Sequence, residues 1–89
     1  MIFTNKALTD GALTRAVITA TEAKTLAIQE AGITMLDSDL PASGTATDGL
    51  ILTIDTNGEV LTDTGSFSLF GDTLAKAVRQ AMAQAIANI

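Results

Sequence analysis

The sequence predicts a small mixed fold of the α/β (α+β) class: a mixed β-sheet with a β-hairpin, covered on one face by two helices, within a single domain spanning residues 1–89. Three observations lead there. Alanines recur at helical spacing from about residue 10 to residue 31, a β-prone run with a turn signal occupies residues 50–62, and helical spacing returns from residue 68 to the end. A chain this short buries only about two-thirds of the surface its unfolded form exposes, so the core is thin. Its apolar residues are mostly Ala, Leu and Ile, with three Phe and no Trp or Tyr, so elements must approach closely to fill space.

Met1 to Thr4 supplies a third strand, because an isolated two-stranded hairpin is marginal in water. Thr9 or Asp10 then caps a helix running to about Ala31, where Gly32 tolerates the left-handed conformation of a helix end. Along it Ala12, Ala16, Ala20, Ala23, Ala27 and Ala31 form a flat, small stripe, widened by Leu13, Val17, Leu26 and Ile28. Residues 34–49 form a polar connection holding Pro41 and two glycines, long enough to favour a functional role over a plain linker. Leu50 to Asp55 reads as a strand, Asn57-Gly58 as a hairpin turn, and Val60 to Thr62 as the returning strand. Ser68 caps the last helix, whose apolar side is Leu69, Phe70, Leu74, Ala77, Val78, Ala81, Ala85 and Ile86, with Lys76, Arg79 and Gln80 on the wet side.

Composition removes whole classes of chemistry. Without Cys or His there is no disulfide, no thiolate or imidazole metal site, and no Ser–His–Asp or Cys–His catalyst. The expectation is no metal and no cofactor. Ten acidic against five basic residues give a net charge of −5, which argues against a nucleic-acid partner. No stretch has the apolar length of a membrane span and the first residues lack the pattern of a secretory signal, so a cytoplasmic protein with no membrane partner is expected.

Three segments carry polar groups in patterns that suit chemistry. Within the first helix, Thr19 to Thr25 holds Thr21, Glu22, Lys24 and Thr25; at 100° per residue Arg15, Thr19, Glu22 and Gln29 share one line, whereas Thr14, Thr21, Lys24 and Thr25 share another, so Glu22 and Lys24 point apart. A solvated face with threonine back-bonds is the plain explanation, yet so many threonines cost helix stability, and local rules are most often broken at functional sites. Gly44, Thr45, Thr47, Asp48 and Gly49 set hydroxyls and a carboxylate between glycines, which is either an ordinary turn or a site where backbone N–H groups and an acid meet a substrate. Gly65 to Asp72 opens the last helix with two serines; helix capping explains it, and as a phosphate signal it lacks the lysine and second glycine of a phosphate loop.

Taken together, Thr19-Ala20-Thr21-Glu22-Ala23-Lys24-Thr25, then Gly44-Thr45-Ala46-Thr47-Asp48, then Ser68-Leu69-Phe70-Gly71 opening an alanine-rich helix, resemble the adenosylcobinamide amidohydrolase family in order and spacing. The resemblance spans nearly the whole chain and about the C-terminal half of a typical member. It implies hydrolysis of the amide that joins the aminopropanol arm to the corrin ring, a step of cobalamin salvage. It singles out Glu22, Asp48 and Lys24 as catalytic candidates, with Thr21, Thr25, Gly44, Thr45 and Thr47 as substrate-binding candidates. On that reading Asp48 or Glu22 activates water, Lys24 or backbone N–H groups stabilise the oxyanion, and threonine hydroxyls hold the amide.

Two functions are compatible with these residues: an amidohydrolase acting on a corrinoid, or a non-catalytic half-domain that binds a corrinoid or serves as a self-assembling structural module. Both predict a homo-oligomer, because a three-stranded sheet with an uncovered face or edge leaves apolar surface and unpaired strand groups in water.

Overall fold

The structure, a computed structural model, describes residues 1–34, 40–42 and 49–87. In chain order the elements are β1 (Ile2–Phe3), β2 (Ala7–Leu8), α1 (Asp10–Glu30), β3 (Leu52–Thr53), β4 (Val60–Leu61) and α2 (Leu69–Ala87). The mixed α/β class and the two-helix cover match the sequence reading.

The first helix forms where its caps place it. The Thr9 hydroxyl accepts the Ala12 N–H at 3.2 Å, and the helix closes at Ala31, whose N–H reaches the Ala27 carbonyl, before Gly32 turns the chain with φ 75°. Gly32 is there because a side chain at that positive φ would be strained. Ala12, Ala16, Ala20, Ala23 and Ala27 are buried as the stripe predicts, while Val17, Leu26 and Ala31 remain exposed.

The hairpin expectation is corrected by the pairing. β3 runs parallel to β1, with Ile2 opposite Leu52 and Phe3 opposite Thr53; β4 runs parallel to β2, with Ala7 opposite Val60 and Leu8 opposite Leu61. The bonds continue between the two ladders, from Thr4 N–H to the Thr53 carbonyl (3.0 Å) and from Asp55 N–H to the Lys6 carbonyl (3.2 Å). In place of a single sheet there are thus two two-stranded parallel sheets, β1–β3 and β2–β4, which follow one another along residues 2–8 and 52–61 as a kinked ribbon, with α1 in the crossover.

The turn chemistry at Asp55–Gly58 is present but serves as an offset within a strand. Gly58 N–H donates to the Asp55 carbonyl at 3.0 Å and Asn57 N–H to its carboxylate at 2.9 Å. Gly58 is required for a different reason from a hairpin: a Cβ there would run into the Asn5 carbonyl, which kinks beside it. β2 was not foreseen, since two residues bounded by polar ones carry no periodic signal.

Both helices lie on the face of the ribbon to which Ile2, Leu8, Leu52, Ile54 and Leu61 turn, and the core joins these to Ala12, Ala16, Ala20 and Leu74. Ala20 meets Leu74 in that core and Glu30 meets Arg79 further along, so α1 and α2 run side by side in the same direction. α2 is thinly covered: among its apolar residues only Leu74 is fully buried, and Leu69, Ala77 and Ala81 are exposed.

Candidate functional site

Where the Ala-lined middle of α1 passes α2 and the start of β1, the small side chains leave a groove. Its volume is about 420 Å³, and its walls are Met1, Ile2 and Phe3, then Ala20, Thr21 and Lys24 of α1, Gly49 and Leu50 before β3, and Leu74, Ala77, Val78, Ala81 and Met82 of α2. The lining is mostly hydrocarbon. Two residues of the wall carry polar side chains, Thr21 and the half-buried Lys24.

The helical geometry separates the candidates as their spacing implied. Thr21 and Lys24 share the groove side of α1, whereas Glu22 lies outside it, exposed, with Arg15 Nη2 at 3.4 Å from its Oε1 one line further round. Thr25 is half-buried next to Lys24 in the chain and is not part of the groove wall. Gly44, Thr45, Thr47 and Asp48 lie outside the described residues; Gly49, which lines the groove, follows Asp48 in the sequence.

Thr21 Oγ1 donates its proton to the Val17 carbonyl at 2.8 Å, so the back-bond expected for a mid-helix threonine is there. With its proton committed to that bond, the oxygen has only lone pairs left, which suits an incoming N–H. Thr19, placed by spacing on the solvated line with Arg15 and Glu22, is instead 1% exposed. Its hydroxyl donates to the Thr64 carbonyl at 2.9 Å, and the Thr64 hydroxyl donates to the Ala12 carbonyl, so these two buried hydroxyls fasten the chain before α2 onto α1. The sequence pattern missed this because a hydroxyl aimed at a distant backbone carbonyl leaves no periodic trace.

The start of α2 is closed by its own cap. Ser68 Oγ accepts the Gly71 N–H at 2.9 Å and donates to the Gly65 carbonyl at 2.7 Å, so capping accounts for Ser68. Among the described residues no three carboxylates gather as a metal site would require, and no helix is long and apolar enough to cross a membrane. A second, larger cleft of 540 Å³ lies between the later turns of the two helices, where Arg79 grips both oxygens of Glu30 at 2.8 Å above Ala27, Ala31, Ala83 and Ile86. Apolar side chains outside the three polar motifs, Phe3, Ala77 and Met82 among them, thus form most of the groove wall; the apolar stripe of the last helix signalled Leu74, Ala77, Val78 and Ala81, but neither Phe3 nor Met82.

Fold and groove define a class: a two-helix α/β domain carrying a groove of the size and apolar lining of a small-molecule pocket, with a few convergent polar groups. The chain belongs to the adenosylcobinamide amidohydrolase family, whose model matches residues 1–89. It is also similar to an uncharacterized protein of Methanocaldococcus jannaschii, 40% identical over 87 residues, which takes in 97% of this chain and 34% of that protein. The chain thus spans about a third of the length of the curated relative it matches. No solved structure matches it.

Proposed function

We propose that the groove receives the aminopropanol arm of a corrinoid and that the chain contributes part of an amidohydrolase site acting on adenosylcobinamide. The observation that carries this reading is the meeting of Thr21, Lys24 and Gly49 in one mostly apolar groove, two of them drawn from motifs that resemble the family's and the third directly following Asp48. The Thr21 oxygen accepts the substrate amide N–H, and the Lys24 ammonium faces the amide oxygen. Asp48 takes a proton from water as the oxygen of that water adds to the amide carbon. Lys24 stabilises the oxyanion, and collapse breaks the C–N bond as the proton passes to the departing nitrogen. The products are the corrinoid acid and aminopropanol. Of the two carboxylates the resemblance implies, Glu22 is the worse placed, because it lies beside Arg15 and away from the groove.

A second reading, corrinoid binding without turnover, is favoured by the match to only 34% of the relative's length. One experiment separates the two. The chain is titrated with adenosylcobinamide, binding is followed by corrin absorbance, and aminopropanol release is then assayed. Release that Asp48→Asn abolishes and Glu22→Gln spares supports hydrolysis as written. Saturable binding without release, weakened at least ten-fold by Lys24→Met, supports the binding module. No binding at all overturns both.

A further inference from the structure

Asn57-Gly58 is the only Asn-Gly step of the sequence, and the strand pairing gives it no hairpin to close. It sits instead at the junction of the two sheets. Just before it, the Asp55 N–H donates to the Lys6 carbonyl at 3.2 Å; just after it, the Ala7 N–H donates to the Glu59 carbonyl at 2.8 Å. Asp55, Thr56 and Asn57 are exposed. The Asp55 carboxylate holds the Asn57 main-chain N–H and the Asp55 carbonyl holds the Gly58 N–H, whereas the Asn57 side-chain amide has no hydrogen-bond partner among the described residues. An asparagine side chain is most open to attack by the next backbone nitrogen when that residue is glycine, which has no side chain to block the approach. Here the glycine is also obligatory, because a Cβ at residue 58 would run into the Asn5 carbonyl. The fold thus requires the one residue that leaves this nitrogen unshielded.

We propose that Asn57 is a site of spontaneous modification in the folded protein, converted by water through a succinimide to aspartate and isoaspartate, and that isoaspartate there opens the junction between the sheets. The Gly58 nitrogen gives its proton to hydroxide and adds to Asn57 Cγ, the Cγ–Nδ2 bond breaks, and ammonia leaves with a proton taken from water. Water then opens the five-membered ring. Breaking the bond to Cγ yields aspartate; breaking the bond between the Gly58 nitrogen and the Asn57 main-chain carbonyl carbon yields isoaspartate, in which the chain runs through Cβ and Cγ. The main chain is then longer by one carbon, about 1.5 Å. Gly58 has no room to take up that length against Asn5, so the shift passes to Glu59 and Leu61, whose carbonyls hold the Ala7 and Thr9 amides. The bond from Gly58 to the Asp55 carbonyl must open first, and in an exposed turn such opening takes little free energy. This inference is independent of the corrinoid reading, since it concerns the covalent chain and its tests contain no substrate.

The test incubates the full 89-residue chain in mildly alkaline buffer, folded and in urea, and follows ammonia release and the isoaspartate content of the peptide that holds Asn57 by mass mapping. Urea titration gives the fraction unfolded in buffer. Conversion of the folded chain about ten-fold or more faster than that fraction would supply, and abolished by Asn57→Ser, is the expected result. Conversion no faster than the unfolded fraction supplies means that the Asp55 turn protects Asn57 and overturns the proposal; ammonia release that persists in Asn57→Ser places the reaction elsewhere and overturns it too. The purified isoaspartate form is then compared with the parent by hydrogen exchange. The Ala7 and Thr9 amides should exchange about ten-fold or more faster, while those of Ile2 and Thr4, bonded to Ile51 and Thr53 in the other sheet, change by less than about two-fold. Asn57→Asp adds the charge without the extra carbon and should match the parent at all four. Unchanged exchange at Ala7 and Thr9 in the isoaspartate form, or an equal change in Asn57→Asp, overturns the claim that the inserted carbon opens the junction.

Discussion

The two ends of the contact between α1 and α2 are built differently. Toward the start of α1, Thr64 is fully buried between the helices, gives its hydroxyl to the Ala12 carbonyl, and receives Thr19 on its own carbonyl. Gly71 in the first turn of α2 comes so near Gly65 that no Cβ fits. A few turns further along, past Ala20, the same two helices are joined by no such buried staple among the described residues, and the groove of Thr21 and Lys24 opens. Small residues permit close approach in both places. What differs is whether buried hydrogen bonds hold the approach shut, and this separates a structural seam from a surface available to a ligand.

The sharpest way to break that comparison is Gly71→Ala. The new methyl meets the backbone carbonyls of Gly65 and Thr64, which have no flexible side chain to give way, so a loss of about 3 kcal/mol or more is expected in urea unfolding. A variant as stable as the parent would mean that the seam is looser than described. Thr19→Val comes next. It keeps the volume but deletes the donor to a buried carbonyl, and a loss of about 1–2 kcal/mol is expected. Thr64→Val should be of similar size, and the double variant should lose less than the sum, because the two hydroxyls form one chain.

Substitutions in the open groove should behave in the opposite manner. Thr21 is exposed and among the described residues bonds within its own helix, so Thr21→Val is expected to change stability by no more than about 0.5 kcal/mol while weakening adenosylcobinamide binding. Equal damage to stability and binding would make the groove a continuation of the seam.

Which of these regions was legible beforehand follows from what leaves a periodic signal. The alanine stripe, the Thr9 and Ser68 caps and Gly32 were readable because helix spacing and capping are local. Likewise the separation of Lys24 from Glu22 follows from 100° per residue alone. The hairpin was misjudged because Asn57-Gly58 is a hairpin signal only when the flanking strands pair with each other. Here α1 carries the chain across so that both strands run parallel, and Gly58 serves the crossing of Asn5. Thr19 and Thr64 escaped notice because they are 45 residues apart and speak only to backbone carbonyls. Asp48 and the threonines before it lie outside the described residues, so the second motif rests on its sequence and on the position of Gly49.

The smallest expected effect tests the staple that lies in water. Lys6 Nζ sits 2.7 Å from Glu59 Oε2 where the ribbon kinks, and this hydrogen bond and the charge of Lys6 hold the Glu59 carboxyl below its usual range. A carboxyl whose pKa is lower in the folded state stabilises above its unfolded value of about 4.3, and the contribution fades as pH falls through the lower folded value. Urea unfolding of the parent and of Glu59→Gln should therefore differ slightly at pH 7 and converge as the pH falls through the lowered folded value, with 0.5 M salt narrowing the gap at neutral pH because the pair is exposed. A gap that widens in acid would reverse the assigned sign. A gap as large as that of Thr19→Val would mean that the kink is held by its surface charges as firmly as the seam is by its buried hydroxyls.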